Sequence, residues 1–342
     1  MNSTIKNAIK YVLMLGLGGF LFWYVLKDMD PEKVESDFRT ADYFWISTSI
    51  VISLVAYWAR ALRWNLLLAS VDINPPAYKT FLALMTGYIV NIAVPRGGEV
   101  ARCAILNRVH KAPFNATFGS VVVERIFDLI GLLFLIGLTF ILEFDLISDF
   151  LSAILLEKFQ GLFSSLQKIY LFIIVALLFI CSIAGILWYY RQQIQKHTMY
   201  QKISVFLAGV WKGVISIGTL KKKWLFLFYT ILIWASYYFM TYTVFFALPA
   251  TSHLGFNVGL VVLVVGGLGM SAPVQGGFGA FHYMVSSALI IYGIEKVDGV
   301  SYAMLVHTSQ TLTVIFIGGI SFIISLLIGK NKEKEYVNSK AE

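Results

Sequence analysis

The chain has 342 residues, of which 58% are hydrophobic and only 13% are charged, and its mean hydropathy is +0.76. This composition excludes an ordinary soluble domain, in which the apolar fraction is lower and the charged fraction higher. The net charge of +8 would suit nucleic acid, but lysine and arginine lie mainly in short segments between apolar runs, where the positive-inside rule accounts for them. We therefore expect no nucleic-acid partner.

Five apolar runs approach the length of about 20 residues that a helix needs to cross a bilayer. These runs are residues 8–26, 43–59, 170–190, 224–248 and 301–329. The first run follows two lysines, as a signal peptide would, but it ends without a small-residue cleavage site and is interpreted as a span. The sequence therefore predicts an all-α polytopic membrane protein.

The apolar sequence is interrupted at 91–102 and again at 271–279. The first interruption contains Pro95, Gly97 and Gly98 and the charged residues Arg96, Glu99 and Arg102. The second contains Pro273, Gly276 and Gly277. Because lipid offers no partner to freed backbone groups or charges, such breaks persist only when buried in protein or lining a wet cavity. Matching interruptions in two halves of a chain are typical of a transporter-like site at the membrane midplane.

The distribution of charge between the apolar runs predicts their orientation. The segment 191–223 holds seven Lys or Arg and no acidic residue, which places it in the cytoplasm together with both termini and the tail 331–342. The segments 27–42 and 143–168 are richer in acidic residues and should face outward. Arg60 and Arg63 are taken to mark the cytoplasmic face beside the first interruption.

These orientations are consistent only if each interrupted region is a re-entrant hairpin. The first half, 1–150, then has spans at 8–26, 43–62 and 114–142 with a hairpin at 78–110. The second half, 151–330, repeats this order in the opposite direction, with spans at 169–190, 224–248 and 300–328 and a hairpin at 257–293. The prediction is one membrane domain over 1–342, with six spans and two oppositely oriented hairpins in an inverted repeat. The alternative is eight or more full spans, which would put Arg96 and Glu99 in an extramembrane loop.

Charged side chains near the first interruption are the candidate binding residues. The helix that follows Gly97 and Gly98 would point its unpaired N–H groups and positive dipole end into the protein, where Arg96 and Arg102 add positive charge. This pattern favours an anionic ligand. The alternative is that these arginines pair with Glu99, or with a charge on another helix, and only hold the hairpin.

The span 114–142 carries three further charges in its inner half. Glu124 and Asp128 share a helix face, and Arg125 points to a different one. Such charges must face the bundle interior or a cavity. Two interpretations remain open: a direct role with substrate or proton, and an internal salt-bridge network with the hairpin arginines.

The second half offers few chemical groups at membrane depth. No two histidines have ligand spacing, so no metal site is expected, and a coupling role for His282 is the remaining suggestion. Cys103 and Cys181 are interpreted as small hydrophobic residues. No nucleophile stands beside a base and no nucleotide motif is seen, so we expect neither an enzyme nor a cofactor.

Several motifs together resemble the membrane region of the lysylphosphatidylglycerol synthase/flippase family. They are residues 60–64, 91–102, Glu124 and Arg125 with Asp128, and 273–279, and the resemblance spans about 40–328. Family members that make the lipid carry a soluble aminoacyltransferase domain after this region. The present sequence ends at Glu342, so the resemblance implies lipid translocation without synthesis.

The leading hypothesis is a flippase-like protein of the inner (plasma) membrane that moves an anionic or aminoacylated phospholipid head group. Its proposed substrate-binding residues are Arg96, Gly97, Gly98, Glu99, Arg102, Glu124, Arg125, Asp128, Pro273, Gly276 and Gly277. The alternatives are a secondary transporter of a small soluble anion and an accessory subunit that partners an envelope-lipid enzyme.

Overall fold

The computed structural model describes residues 16–27, 30–94, 96–144 and 220–338, with side chains described as far as Gly329. Contacts divide the chain into two units, Met1–Ile136 with Thr219–Glu342, and Gly137–Gly218. Apart from the end of one helix, the described residues belong to the first unit. The predicted span at 169–190, most of the basic segment 191–223, Cys181 and Pro95 lie outside the described residues.

Every regular element in these ranges is helical. The helices are α1 (Gly16–Leu26), α2 (Pro31–Thr40), α3 (Tyr43–Ala69), α4 (Ala77–Ala93), α5 (Gly98–His110), α6 (Phe114–Leu142), α7 (Lys223–Phe245), α8 (Phe256–Ser271), α9 (Ala280–Ile291) and α10 (Lys296–Asn338). Four of them, α3, α6, α7 and α10 as far as Gly329, are long and apolar enough to cross a membrane. They match four of the six predicted spans and confirm an all-α polytopic membrane protein.

The two glycine interruptions are the turns of two helical hairpins. Helices α4 and α5 have 17 and 13 residues, and α8 and α9 have 16 and 12. At about 1.5 Å of rise per residue these arms are roughly 18–26 Å long, which is short of the about 30 Å of a hydrocarbon core. The arm lengths agree with re-entrant hairpins and disfavour the alternative of additional full spans.

Helix α10 shows that the two hairpins enter from opposite ends. This helix packs on α9 of one hairpin and on α4 and α5 of the other. Contacts along α10 follow the order Gly299 with Ser286, His307 with Gly276, Gly318 with Ile89, and Gly329 with Arg108. The turn of the α8–α9 hairpin, which we call tip 2, therefore faces the α4–α5 hairpin. Ile92 of α4 lies close to it.

Glycine lets the arms of each hairpin pack closely. A Cβ on Gly98 would lie 2.2 Å from the carbonyl oxygen of Gly87 on the opposite arm. In the other hairpin, a Cβ on Gly269 would lie 2.9 Å from Cα of Phe281. Both approaches bring backbone against backbone, so the two hairpins share one packing device.

Helix α2 lies within the segment 27–42, for which the sequence predicts only an outward-facing connection. Its start is encoded locally, because Asp30 accepts a hydrogen bond from the Glu32 N–H and Pro31 occupies the first turn. Lys33 then pairs with Asp298 of α10 at 3.0 Å. The acidic connection is thus a short helix docked on the last span.

Candidate functional site

Glu124 on α6 lies at the centre of a buried ionic cluster. Its Oε1 accepts a hydrogen bond from Arg60 Nη2 of α3 at 2.7 Å, and its Oε2 accepts one from Arg102 Nη1 of α5 at 3.0 Å. Glu124 is 0% exposed and Arg102 is 2% exposed. Three helices are therefore joined through one carboxylate that has no access to solvent.

Asp128, one turn further along α6, extends the cluster. It accepts hydrogen bonds from Arg63 and, at 3.0 Å, from Arg60, both on α3. The sequence-based prediction assigns Arg125 to a different face of α6, but Arg125 and Asp128 are three residues apart and are therefore neighbours on the helix surface. Arg125 Nη1 accordingly lies 3.3 Å from Asp128 Oδ2. The whole ionic cluster consists of Arg60, Arg63, Glu99, Arg102, Glu124, Arg125 and Asp128.

The sequence pattern takes Arg60 and Arg63 as markers of the cytoplasmic face, whereas the structure places both inside the protein. Both are buried, Arg63 completely, and both pair with α6. Two arginines three residues apart share a helix face, and an apolar helix can bury that face only against acidic partners. Their spacing, set against the four-residue spacing of Glu124 and Asp128, was the signal that could have identified the pairing.

The ionic cluster has an accessible edge on the side of α5. Glu99 Oε1 lies 3.3 Å from Arg125 Nε, and the Arg125 side chain is 41% exposed. The cluster contains four guanidinium groups and three carboxylates, so it carries an excess of one positive charge. A soluble or lipid-borne anion could approach this edge.

Two tyrosines that sequence reasoning missed complete the surroundings of Arg60. Arg60 Nη1 donates to the hydroxyl of Tyr237 on α7 at 2.7 Å, and the guanidinium carbon lies 5.7 Å from the ring centroid of Tyr88 on α4. The Tyr88 hydroxyl oxygen is buried and has no partner among the described side chains and backbone. Aromatic residues are too common in this chain for these two to be singled out from sequence.

Arg96 lies apart from the ionic cluster. It is exposed, has a left-handed backbone with φ of 61°, and forms no ion pair with any residue that the structure describes. The N–H of Gly98 donates to Asn91 Oδ1 at 2.7 Å, so this N–H at the start of α5 already has a partner inside the hairpin. Of the predicted charged residues, the structure brings together Glu99, Arg102, Glu124, Arg125 and Asp128.

The predicted glycines of tip 2 adopt the backbone that only glycine takes readily. Gly276 and Gly277 have φ of 54° and 73°, and Pro273 is exposed beside them. The Gly276 carbonyl accepts a hydrogen bond from His307 Nε2 at 2.8 Å. Tip 2 is therefore hydrogen-bonded to the N-terminal half of α10.

His282 lies beside His307, with the two ring centroids 4.8 Å apart. Because these two histidines are far apart in the sequence, their spacing did not predict that they form a pair. The ring of His282 also packs against Phe22 and Phe278, and its Nδ1 is buried without a hydrogen-bond partner in the described part of the chain. In the part of the chain that the structure describes, no three His, Cys, Asp or Glu side chains come together as a metal site would require.

Comparisons with known proteins connect this arrangement to a family. The profile described as the lysylphosphatidylglycerol synthase TM region matches residues 9–318. A UPF0104 membrane protein of Pyrococcus horikoshii is 23% identical over 325 residues, which cover 91% of this chain and 96% of that protein.

Two further relatives match over shorter stretches. A UPF0104 membrane protein of Methanothermobacter thermautotrophicus is 26% identical over 152 residues, covering 43% of this chain and 45% of that protein. Glycosyltransferase AglD of Haloferax volcanii is 26% identical over 114 residues, covering 33% of this chain and 18% of AglD. The match thus spans less than half the length of each of these two proteins.

Proposed function

The chain belongs to the family of the lysylphosphatidylglycerol synthase TM region, and from this membership together with the ionic cluster we propose that it translocates a lipid with an anionic head group. The acyl chains would stay in the bilayer, so only the head group needs a polar route. The proposed membrane is the inner (plasma) membrane, with both termini in the cytoplasm.

The observation that carries this proposal is the buried ionic cluster between the α4–α5 hairpin and the spans α3 and α6. Charged side chains at membrane depth are costly and are found mainly where they bind or conduct a polar substrate. As pure stabilisers, buried ion pairs offer little over well-packed apolar residues. The accessible Glu99–Arg125 edge and the excess positive charge favour an anion over a cation.

Within this proposal the two hairpins have different tasks. The α4–α5 hairpin contributes Glu99 and Arg102 to head-group binding, and Arg96 at its exposed turn would meet the anion first. Tip 2, with Gly276 and Gly277, would move or part to let the head group pass. Passage would be passive or coupled to an ion, and His282 is the proposed group for proton coupling.

The test is the exchange of labelled phospholipids between leaflets in proteoliposomes, read by a quencher that cannot cross the membrane. The intact protein is compared with Glu99→Gln and Arg96→Ala, and with Arg39→Gln as a control on the exposed helix α2. We expect exchange by the intact protein and by the control, and loss of most of it in the two site variants. Absence of exchange for anionic, zwitterionic and neutral head groups alike would refute the proposal and favour transport of a soluble anion.

A second candidate function is that of an accessory subunit for an envelope-lipid enzyme. It is supported by the similarity to part of a protein named as a glycosyltransferase, in which the matched stretch is only 18% of the chain. This candidate predicts a stable complex with a transferase and no lipid exchange by the purified protein. Purification under mild detergent followed by the exchange assay separates the two candidates.

A further inference from the structure

Arg102 differs from the other buried arginines of the ionic cluster in the number of its guanidinium nitrogens that have no hydrogen-bond partner. Its Nη1 is bonded to Glu124 at 3.0 Å, but both Nε and Nη2 are buried without a hydrogen-bond partner in the described structure. Arg60 and Arg63 each leave only Nε unpaired, because their terminal nitrogens bind Asp128 and other partners. Arg102 alone among these three keeps a complete pair of adjacent donors.

The plane of the Arg102 guanidinium is held before any ligand arrives. One face lies over the ring of Trp64, with Cζ 4.6 Å from the ring centroid. The Trp64 indole N–H in turn donates to Ser120 Oγ at 2.9 Å, which fixes the ring on α6. With Nη1 on Glu124 and one face on Trp64, the free edge of the guanidinium has a defined direction.

Two parallel N–H donors on one guanidinium edge match two oxygens of a phosphate or carboxylate. Leaving such donors buried and unpaired is costly, which indicates that a ligand supplies the missing acceptors. We propose that the Nε–Nη2 edge of Arg102 binds two oxygens of a phosphate group. This inference rests on the proposed function for its lipid source, since a free phosphate would satisfy the same edge.

The neighbouring charges are compatible with a bound phosphate. Glu124, the carboxylate that touches Arg102, also pairs with Arg60 at 2.7 Å and lies 3.7 Å from Arg63, so its charge is balanced within the cluster. Glu99 is balanced by Arg125 at 3.3 Å. The added anion would therefore meet an excess of positive charge.

The test measures binding as well as transport, using the full chain in detergent. Phosphatidylglycerol, diacylglycerol and inorganic phosphate are the three probes, and their dissociation constants are measured for the intact protein, Arg102→Lys and the surface control Arg39→Lys. Lysine keeps the charge beside Glu124 but lacks the paired donors. We expect Arg102→Lys to weaken phosphatidylglycerol binding at least about ten-fold, because two charge-assisted hydrogen bonds are lost, and Arg39→Lys to leave it unchanged.

Ser120→Ala supplies a second variant that leaves every ion pair intact. Releasing the Trp64 ring should weaken phosphatidylglycerol binding by a smaller factor, about two- to five-fold, through loss of the fixed orientation. If Arg102→Lys fails to fold, this variant still tests the geometry. Equal binding by Ser120→Ala and the intact protein would then contradict the proposal.

The three probes separate the sources of the phosphate. Binding of phosphatidylglycerol but not inorganic phosphate identifies the lipid as the source, and the reverse identifies a soluble phosphate. Equal binding of phosphatidylglycerol and diacylglycerol, or unchanged binding in Arg102→Lys, overturns the inference. If lipid exchange is absent while Arg102-dependent binding persists, the translocation proposal fails and the phosphate site stands.

Discussion

The two hairpins share one backbone design but have opposite chemical surroundings. The α4–α5 hairpin contributes Glu99 and Arg102 to the seven-residue ionic cluster centred on Glu124. The α8–α9 hairpin contributes His282, whose ring packs on Phe278 and His307, and its turn accepts a hydrogen bond from His307. Close glycine packing occurs in both.

This difference teaches that the backbone and the binding chemistry are separable in this molecule. A re-entrant hairpin needs small residues between its arms and a turn that glycine can form, and both halves satisfy that need. In the described structure, the ionic cluster occurs only beside the first of these hairpins, where we propose that a polar substrate binds. Matched substitutions in the two halves test that separation.

The largest expected effect is from Glu124→Gln. This change removes the charge that touches Arg60 and Arg102 and leaves both buried without full compensation, at a cost of about 3–5 kcal/mol. The matched change in the other half is Tyr302→Phe, which removes one buried hydrogen bond to the Thr241 carbonyl and should cost about 1 kcal/mol. Thermal unfolding in a fixed detergent measures both, and equal losses of stability would contradict the contrast.

Gly98→Ala should have the next largest effect, and Gly269→Ala should resemble it. Each new Cβ would meet backbone atoms of the opposite arm, at 2.2 Å and 2.9 Å respectively, and backbone cannot move aside cheaply. We expect losses of about 1–3 kcal/mol, with Gly98→Ala the larger. Gly119→Ala is the control, because nothing lies within 4 Å of its added Cβ.

The same measurement tests whether the hairpins are equivalent in packing. Gly119→Ala should be neutral or stabilise the protein by up to about 1 kcal/mol, since glycine within a helix is unfavourable. A tolerated Gly269→Ala beside a damaging Gly98→Ala would show that only the charged half depends on close packing.

Much of the hairpin architecture was predictable because its causes are local. Apolar length, charge bias and paired glycines place the predicted turns and four of the spans where the structure has them. The burial of Arg60 and Arg63 was not predictable from position alone, because an arginine near the end of an apolar run is equally typical of a membrane interface. Whether such an arginine is buried or lies at the interface depends on whether another helix packs against it and supplies acidic partners.

The His282–His307 pair was hidden for a similar reason. Spacing rules find histidines that share one helix or one loop, whereas these two meet because α9 packs on α10. Tip 2, which accepts the His307 hydrogen bond, could be identified in the sequence from its glycine and proline residues. Its partner His307 could not be identified, since no local sequence signal links residue 276 to residue 307.

His307→Phe and His282→Phe should differ although the rings are neighbours. His307 donates to the Gly276 carbonyl, so its replacement leaves that acceptor unpaired and should cost about 1–3 kcal/mol. His282 has a buried Nδ1 with no partner in the described structure, and phenylalanine would keep its aromatic contacts. We expect His282→Phe to stay within about 1 kcal/mol of the intact protein. A larger loss in His282→Phe than in His307→Phe would show that tip 2 is held differently.

The smallest expected effect concerns the ion pair between Lys33 of α2 in the first half and Asp298 of α10 in the second. Hydrogen bonds to Asp37 and Asp298 raise the pKa of Lys33 above its ordinary value of 10.5. Because the raised pKa belongs to the folded state, the stabilisation is complete below about pH 10.5 and disappears as the pH rises through the folded pKa. The Lys33 side chain is 46% exposed, so solvent screening limits the gain to less than about 1 kcal/mol.

Lys33→Met should therefore lower the melting temperature slightly at pH 8, and the difference from the intact protein should vanish at strongly alkaline pH. Arg39→Gln is the matched control, since Arg39 forms an ion pair only with Glu35 of its own helix among the residues that the structure describes, and both are exposed. That change should have no measurable effect on the melting temperature at any pH, because the Arg39–Glu35 pair does not join two helices. A pH-independent loss in Lys33→Met would mean that the lysine stem packs on α10 and that its charge contributes nothing.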